Sequence, residues 1–299
     1  MRRKKLILMA VVLFMMAVLS APVIAADQTV EDAVNNYFAD LPSDNSMIGE
    51  EDFVEMVKDG EDVFVLDIRQ PDAYEEGHIK GAVNLPWGSG AIADNLDKLP
   101  GDQTIYIYCY TGQTANQVNA LLNIAGFDAK SVTLGWDLGI SKVDGYEDAV
   151  ETSENELGEE TDYTIEPEIK TALEDYLYGL EDVKDTTYKN YMISEEMLKT
   201  AIDSESDMMI LSIRQRSDFA DGHIPDAANI PWEAGMNEYF GQLPEDEKIV
   251  VYCYTGQTAG QTVAGLRLLG YDAVSLRGGF GTPANEPQGW SNQDYEVVE

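Results

Sequence analysis

The chain has 299 residues, with 19 Lys+Arg against 55 Asp+Glu, a net charge of −36 and 44% hydrophobic residues. That length suits two domains with cores of their own, and the apolar share is too high for a disordered chain. The acidity argues against nucleic acid or an anionic membrane surface as partner; two cysteines and two histidines are too few for a disulfide scaffold or a Cys- or His-rich metal site, so no metal and no cofactor is expected.

At the start of the chain, Arg2-Arg3-Lys4-Lys5 precede an apolar run of 14 residues from Leu6 to Leu19 and a small-residue end, Ser20 to Ala26. This is the pattern of a secretory signal peptide over residues 1–26, cleaved after Ala25 or Ala26, and it predicts a periplasmic or secreted protein. The alternative is an uncleaved anchor, the one route by which this chain would meet a membrane, although a spanning helix wants about 20 residues. Cleavage removes four basic residues and takes the charge from −36 to −40.

Past that segment, Ala33 to Leu41 reads as a helix, and Phe53, Val54 and Val57 lie at helical spacing. Val63 to Leu66 is a short apolar run, as expected of a strand covered on both faces, and it leads into Asp67-Ile68-Arg69. Gly77-His78-Ile79 and Asn84-Leu85-Pro86-Trp87 follow. Thr104 to Tyr108 is a second apolar strand, ending at Cys109. Val118, Leu121, Leu122 and Ala125 then give an amphipathic helix that stops at Gly126. Asp144 to Glu168 holds 11 acidic residues and no Lys or Arg, which predicts a solvated, self-repelling linker.

The pattern then repeats. Tyr108-Cys109-Tyr110-Thr111-Gly112-Gln113-Thr114-Ala115 recurs unchanged as Tyr252-Cys253-Tyr254-Thr255-Gly256-Gln257-Thr258-Ala259. Ile68-Arg69-Gln70 returns as Ile213-Arg214-Gln215, Gly77-His78-Ile79 as Gly222-His223-Ile224, and Asn84-Leu85-Pro86-Trp87 as Asn229-Ile230-Pro231-Trp232. Ala172 to Leu180 repeats the opening helix, Ser194-Glu195-Glu196 is a capped helix start, and Met208 to Leu211 and Lys248 to Tyr252 repeat the strands. The chain is therefore a tandem duplication, with a first domain over 27–150, an acidic linker over 151–163 and a second domain over 164–299. Alternating strands and helices predict an α/β fold in each, a largely parallel sheet with helices on both faces.

Each cysteine sits between the carboxyl end of a strand and the start of a helix. Unpaired backbone N–H groups converge at such a place and the helix dipole adds positive charge, so an anion is held there and a thiolate is favoured over a thiol. Gly112 and Gly256 permit a tight loop, and the Thr111, Thr114, Thr255 and Thr258 hydroxyls can donate to a bound anion. A lone cysteine would read as a small buried hydrophobe. An eight-residue string kept in both copies favours the chemical role, and a Cys109–Cys253 disulfide would need the two loops within about 7 Å.

Taken in order, Leu66-Asp67-Ile68-Arg69, Glu76-Gly77-His78-Ile79-Lys80-Gly81-Ala82-Val83-Asn84-Leu85-Pro86, the six-residue cysteine loop and Leu276-Arg277-Gly278-Gly279-Phe280 resemble the motifs of rhodanese (sulfurtransferase) domains. The resemblance covers nearly everything after the signal segment. It implies that Cys109 and Cys253 accept a sulfane sulfur as a persulfide and pass it on. Thiosulfate, polysulfide or another small sulfur-containing anion would be the donor, and a thiol, cyanide or a protein the acceptor. Thiosulfate sulfurtransferase is the first reading, with 3-mercaptopyruvate and polysulfide types beside it. The loops Tyr110 to Thr114 and Tyr254 to Thr258 would bind the persulfide. Asp67, Arg69 and Arg214 read as braces of the loop, and His78 and His223 as packing and hydrogen-bonding residues.

The two copies differ. The first shows Leu134-Gly135-Trp136 in place of the Gly-Gly element, and the second has Ser212 where the first has Asp67. A phosphatase would need a longer loop closed by Arg, where Ala115 and Ala259 stand. The serious competitor is a non-enzymatic periplasmic sulfur carrier that hands persulfide to a partner.

Overall fold

The computed structural model describes residues 27–299, and the expected signal segment lies outside the described residues. None of the described helices is long and apolar enough to cross a membrane. In chain order the first half contains α1 (Gln28–Ala39), β1 (Met47–Ile48), α2 (Glu50–Lys58), β2 (Phe64–Asp67), α3 (Pro71–Glu76), β3 (His78–Ile79), β4 (Val83–Asn84), α4 (Ala91–Asp94), β5 (Ile105–Tyr108), α5 (Gln113–Ile124), β6 (Ala129–Val132) and β7 (Val150–Glu151). The second contains α6 (Pro167–Tyr178), α7 (Leu180–Val183), β8 (Met192–Ile193), α8 (Glu195–Asp203), β9 (Met208–Ser212), α9 (Arg216–Asp221), β10 (Ala228–Asn229), β11 (Lys248–Tyr252), α10 (Gln257–Leu268) and β12 (Ala273–Leu276). The two five-stranded sheets have the same order, β1-β6-β5-β2-β4 and β8-β12-β11-β9-β10, with every pairing parallel.

Strand parity decides where each cysteine points. Successive side chains of a strand face opposite sides of the sheet. Ile105, Ile107 and Cys109 join one core, and Tyr108 another; Ile249, Val251 and Cys253 join the first core, and Val250 and Tyr252 a third. The first of these cores is shared by both halves, so both cysteines lie on the sheet faces turned toward the opposite half. Helices α5 and α10, which begin at the cysteine loops, pack on each other at the centre of this joint core. The outer cores are closed by Phe53, Val54 and Val57 of α2 and by Leu198 of α8, whose start is capped by the Ser194 hydroxyl as the sequence predicts.

The opening helix of each copy docks on the other copy. Phe38 of α1 meets Trp232 and Phe240 edge-on and fits against Gly265 of α10. Tyr37 donates to Gln261 of α10 (2.7 Å), and Tyr176 of α6 donates to Gln117 of α5 (2.6 Å), the same bond with the halves interchanged. Neither half thus buries its inner face without the other.

The acidic connection also departs from expectation. Residues 151–163, which the charge pattern reads as a solvated linker, form a strap along the first half. Strand β7, which straddles the expected boundary at 150, pairs antiparallel with β3. Thr161 N–H donates to the Asp97 carbonyl (2.9 Å), Tyr163 hydroxyl to the Ala125 carbonyl (2.9 Å), and Ile165 is buried. All the carboxylates of 144–168 except Glu151 are exposed, so charge density described one side of the segment while its backbone, Tyr163 and Ile165 used the other.

Candidate active site

Cys109 and Cys253 are both free thiols. Gly112 N–H donates to Cys109 Sγ at 3.2 Å and Ala115 N–H lies at 3.4 Å; Gly256 N–H donates to Cys253 Sγ at 3.1 Å. These donors exist because Gly112 and Gly256 take left-handed backbone angles (φ 84° and 88°), which turn the chain into the first turn of α5 and α10. The N–H groups therefore point at sulfur, and any negative charge on it or on an atom attached to it meets the same donors.

A second glycine closes each loop from below. A side chain on Gly135 would lie 2.5 Å from the Cys109 carbonyl, and one on Gly279 would lie 2.6 Å from that of Cys253. Trp136 and Phe280 N–H donate to those carbonyls (2.8 and 2.7 Å). The Gly-Gly element is thus retained in the first copy at the position that touches the loop. The departure is confined to Leu134, which itself adopts φ 58°.

Arg69 is buried and forked onto Asp67, with Nη2 donating to Oδ2 at 2.6 Å and to the Gly77 carbonyl at 2.8 Å, while its guanidinium covers Trp136 at 4.0 Å. Arg214 covers Phe280 in the same way at 3.8 Å, but with Ser212 in the carboxylate's place its Nε is buried without a partner among the described residues. Each arginine therefore presses on the residue whose N–H holds the cysteine carbonyl. His78 stacks on Tyr74 and its ring nitrogens face the Tyr74 and Ser153 carbonyls (2.7 and 3.0 Å); His223 stacks on Phe219 and faces its carbonyl (2.9 Å). Tyr110 and Tyr254 hydroxyls accept from Gln70 and Gln215 N–H, and Tyr254 also donates to Asp218; burial and that carboxylate hold its hydroxyl above the usual tyrosine range.

The loop glutamines do something the sequence did not suggest. Gln113 Nε2 donates to Ser275 Oγ and the Leu276 carbonyl (both 2.9 Å), and its Oε1 accepts from Gly278 N–H (3.2 Å). Gln257 Oε1 accepts from Leu134 N–H (3.0 Å). Both side chains tie one half to the other.

A cavity of about 450 Å³ opens on Cys109, lined by Trp87, Thr111 and Thr114 and, from the second half, by Lys184, Lys189 and Asn190. The last three escape motif reasoning because they belong to the other copy. A trace of them exists in the repeat offset, which grows from 139 at Tyr37/Tyr176 to 145 at Asn45/Asn190, six extra residues that include Lys184.

With the geometry in place, the rhodanese-like domain family model matches residues 50–140 and 194–282. The chain belongs to the rhodanese family. A protein from Allochromatium vinosum described as a sulfurtransferase is 33% identical over 107 residues, 33% of this chain and 98% of that protein. A thiosulfate sulfurtransferase from Pseudoalteromonas translucida is 37% identical over 70 residues, 23% of this chain and 65% of the relative, just under two thirds of its length. Among solved structures, a thiosulfate sulfurtransferase from Pseudomonas aeruginosa is similar at 13% identity and TM-score 0.32, over 90% of this chain and 70% of that one. Membership in the rhodanese family brings with it sulfur transfer in general.

Proposed function

We propose that the chain is a periplasmic or secreted sulfurtransferase that takes a sulfane sulfur from thiosulfate, polysulfide or a similar donor and passes it on as a cysteine persulfide. The observation that carries this reading is the pair of backbone N–H groups on Cys109 Sγ at the base of an open cavity. The Cys109 thiolate attacks the outer sulfur of thiosulfate. A sulfur–sulfur bond forms, the bond to the sulfonate sulfur breaks, and sulfite leaves with the electron pair. The terminal sulfur of Cys–S–S⁻ is anionic and meets the same donors. Cyanide, a thiol or a protein thiolate then attacks that sulfur, and the cysteine departs as thiolate, which closes a two-step cycle.

The test is mass spectrometry of the chain after incubation with thiosulfate and, separately, polysulfide. Each sulfur-accepting cysteine should gain about 32 Da, and the gain should vanish at the replaced position in Cys109→Ser and Cys253→Ser. No adduct with either donor overturns the proposal. Turnover with cyanide or dithiothreitol as acceptor separates an enzyme from a carrier, because a carrier stops at one equivalent per cysteine.

A further inference from the structure

The cavity over Cys109 differs in charge from its surroundings. Although the chain carries 55 acidic residues, no carboxylate among the described residues lines it, and Lys184 and Lys189 do. Other cavities of the same molecule are lined by carboxylates: Glu76, Asp137, Glu147 and Glu151 in one, Asp218 and Asp221 in a second, Asp175, Glu181 and Asp182 in a third. Lys184 pairs with Glu181, whereas the Lys189 ammonium has no carboxylate within 4.0 Å among the described residues. Field lines from lysine in a concave, partly desolvated site favour an anion there, and surrounding acidity makes such a site distinctive.

Beside the cavity lies a buried donor without a partner among the described residues. Trp87, 7% exposed, lines the cavity, and its indole Nε1 has no hydrogen-bond acceptor among the described residues. In the second half the equivalent Trp232 Nε1 donates to Asn45 Oδ1 at 2.8 Å. Asn190 holds the place of Asn45: both take positive φ (62° and 57°), and their carbonyls accept from Gln117 and Gln261 at 3.0 Å. Asn190 nevertheless leaves the Trp87 N–H uncapped. An unmet buried donor destabilises the fold, and an acceptor atom of a ligand that reached it would offset that cost.

The neighbouring position completes the contrast. Where Lys189 precedes Asn190, Asp44 precedes Asn45, and Asp44 is held by Lys130 at 2.7 Å. At the second cysteine the corresponding turn is therefore acidic and its indole is already satisfied.

We propose that Lys189 and the Trp87 N–H, with Lys184 beside them, form an anion-holding subsite at Cys109 that Cys253 lacks. The two cysteines then divide the work, with Cys109 receiving small anionic donors. This refinement rests on the sulfur-transfer reading only for the identity of the ligand as a donor. The lysines come from the second half, so the first site is complete only in the tandem chain.

The test uses alkylation, which needs no sulfur chemistry. Rates of modification by iodoacetate (anionic) and iodoacetamide (neutral) are followed at each cysteine of the full chain by peptide mass spectrometry. The iodoacetate/iodoacetamide ratio should be roughly tenfold higher at Cys109 than at Cys253, the scale of one charge-assisted contact. It should fall toward the Cys253 value in Lys189→Glu, persist in Lys189→Arg and decline in Trp87→Phe. Lys189 is exposed, so its variants keep the test open should Trp87→Phe fail to fold. Equal ratios at the two cysteines, or a ratio unmoved by Lys189→Glu, overturn the inference. Selectivity without any persulfide would sink the proposed function alone, and persulfide without selectivity would sink this subsite alone.

Discussion

Gln113 and Gln257 cross the boundary between the halves in opposite directions. Gln113 leaves the first cysteine loop to bond Ser275, Leu276 and Gly278 beneath the second, while Gln257 leaves the second loop to accept from Leu134 beneath the first. The consequence is a crossed dependence. Gln113→Leu leaves the buried Gly278 N–H unmet, at a cost of about 1–3 kcal/mol in unfolding free energy. The chemical effect should appear at the opposite cysteine: modification of Cys253 by iodoacetamide changes more than that of Cys109. Equal effects at both sites, measured by peptide mapping, would show that the ties are only structural glue.

The arginine beneath each loop offers a natural comparison. Asp67→Ser should destabilise by roughly 3–5 kcal/mol, because it strands a guanidinium that Asp67 now grips with two oxygens. Ser212→Asp should do the reverse and raise the denaturant midpoint at neutral pH, since Arg214 Nε is buried and unpaired. Urea titrations of the two variants check both signs.

Gly265 is where the exchanged helix α1 locks onto α10. A methyl group there would stand 2.3 Å from the Phe38 ring, which is itself fully buried against Trp232 and Phe240. Gly265→Ala gains helix propensity of about 1 kcal/mol and loses more to overpacking, so a net loss of roughly 1–3 kcal/mol is expected. Phe38→Leu in the same chain should return part of it, and a double-mutant cycle on thermal unfolding measures the coupling.

How much of this was legible in the sequence follows the range of each interaction. The placing of each cysteine between a strand and a helix and the Ser194 cap depend on residues close along the chain, and they stand where the pattern put them. Leu134-Gly135 looked like a lost element because the sequence weighs two glycines equally, whereas only Gly135 touches the Cys109 carbonyl. The exchange of α1 and α6, the crossing glutamines and Lys184 and Lys189 depend on how two folded halves meet. Periodicity within one copy carries no record of that, and only the six-residue shift in repeat offset marks the place.

The strap over residues 150–163 should loosen with acid, and Glu151 is the reason. Its Oε1 accepts from Gly81 N–H (2.7 Å) and Asn155 Nδ2 (2.9 Å), and its Oε2 from the Ser153 hydroxyl (2.7 Å). Partial desolvation opposes the charge, but these donors and His78 together hold the carboxyl below its ordinary 4.5. A depressed folded-state value means that the contribution is complete above the unfolded value and is lost as pH falls through the folded one. Between neutrality and about pH 5 the strap should stay put; on further acidification its amides should lose protection relative to the intrinsic exchange rate at each pH, while those of β5 and β11 remain protected. Glu151→Gln keeps the shape but not the charge, so the strap's protection factors in that variant should be low at neutral pH and nearly flat through the acid range. A strap equally protected in both proteins would assign its docking to Tyr163 and Ile165 instead.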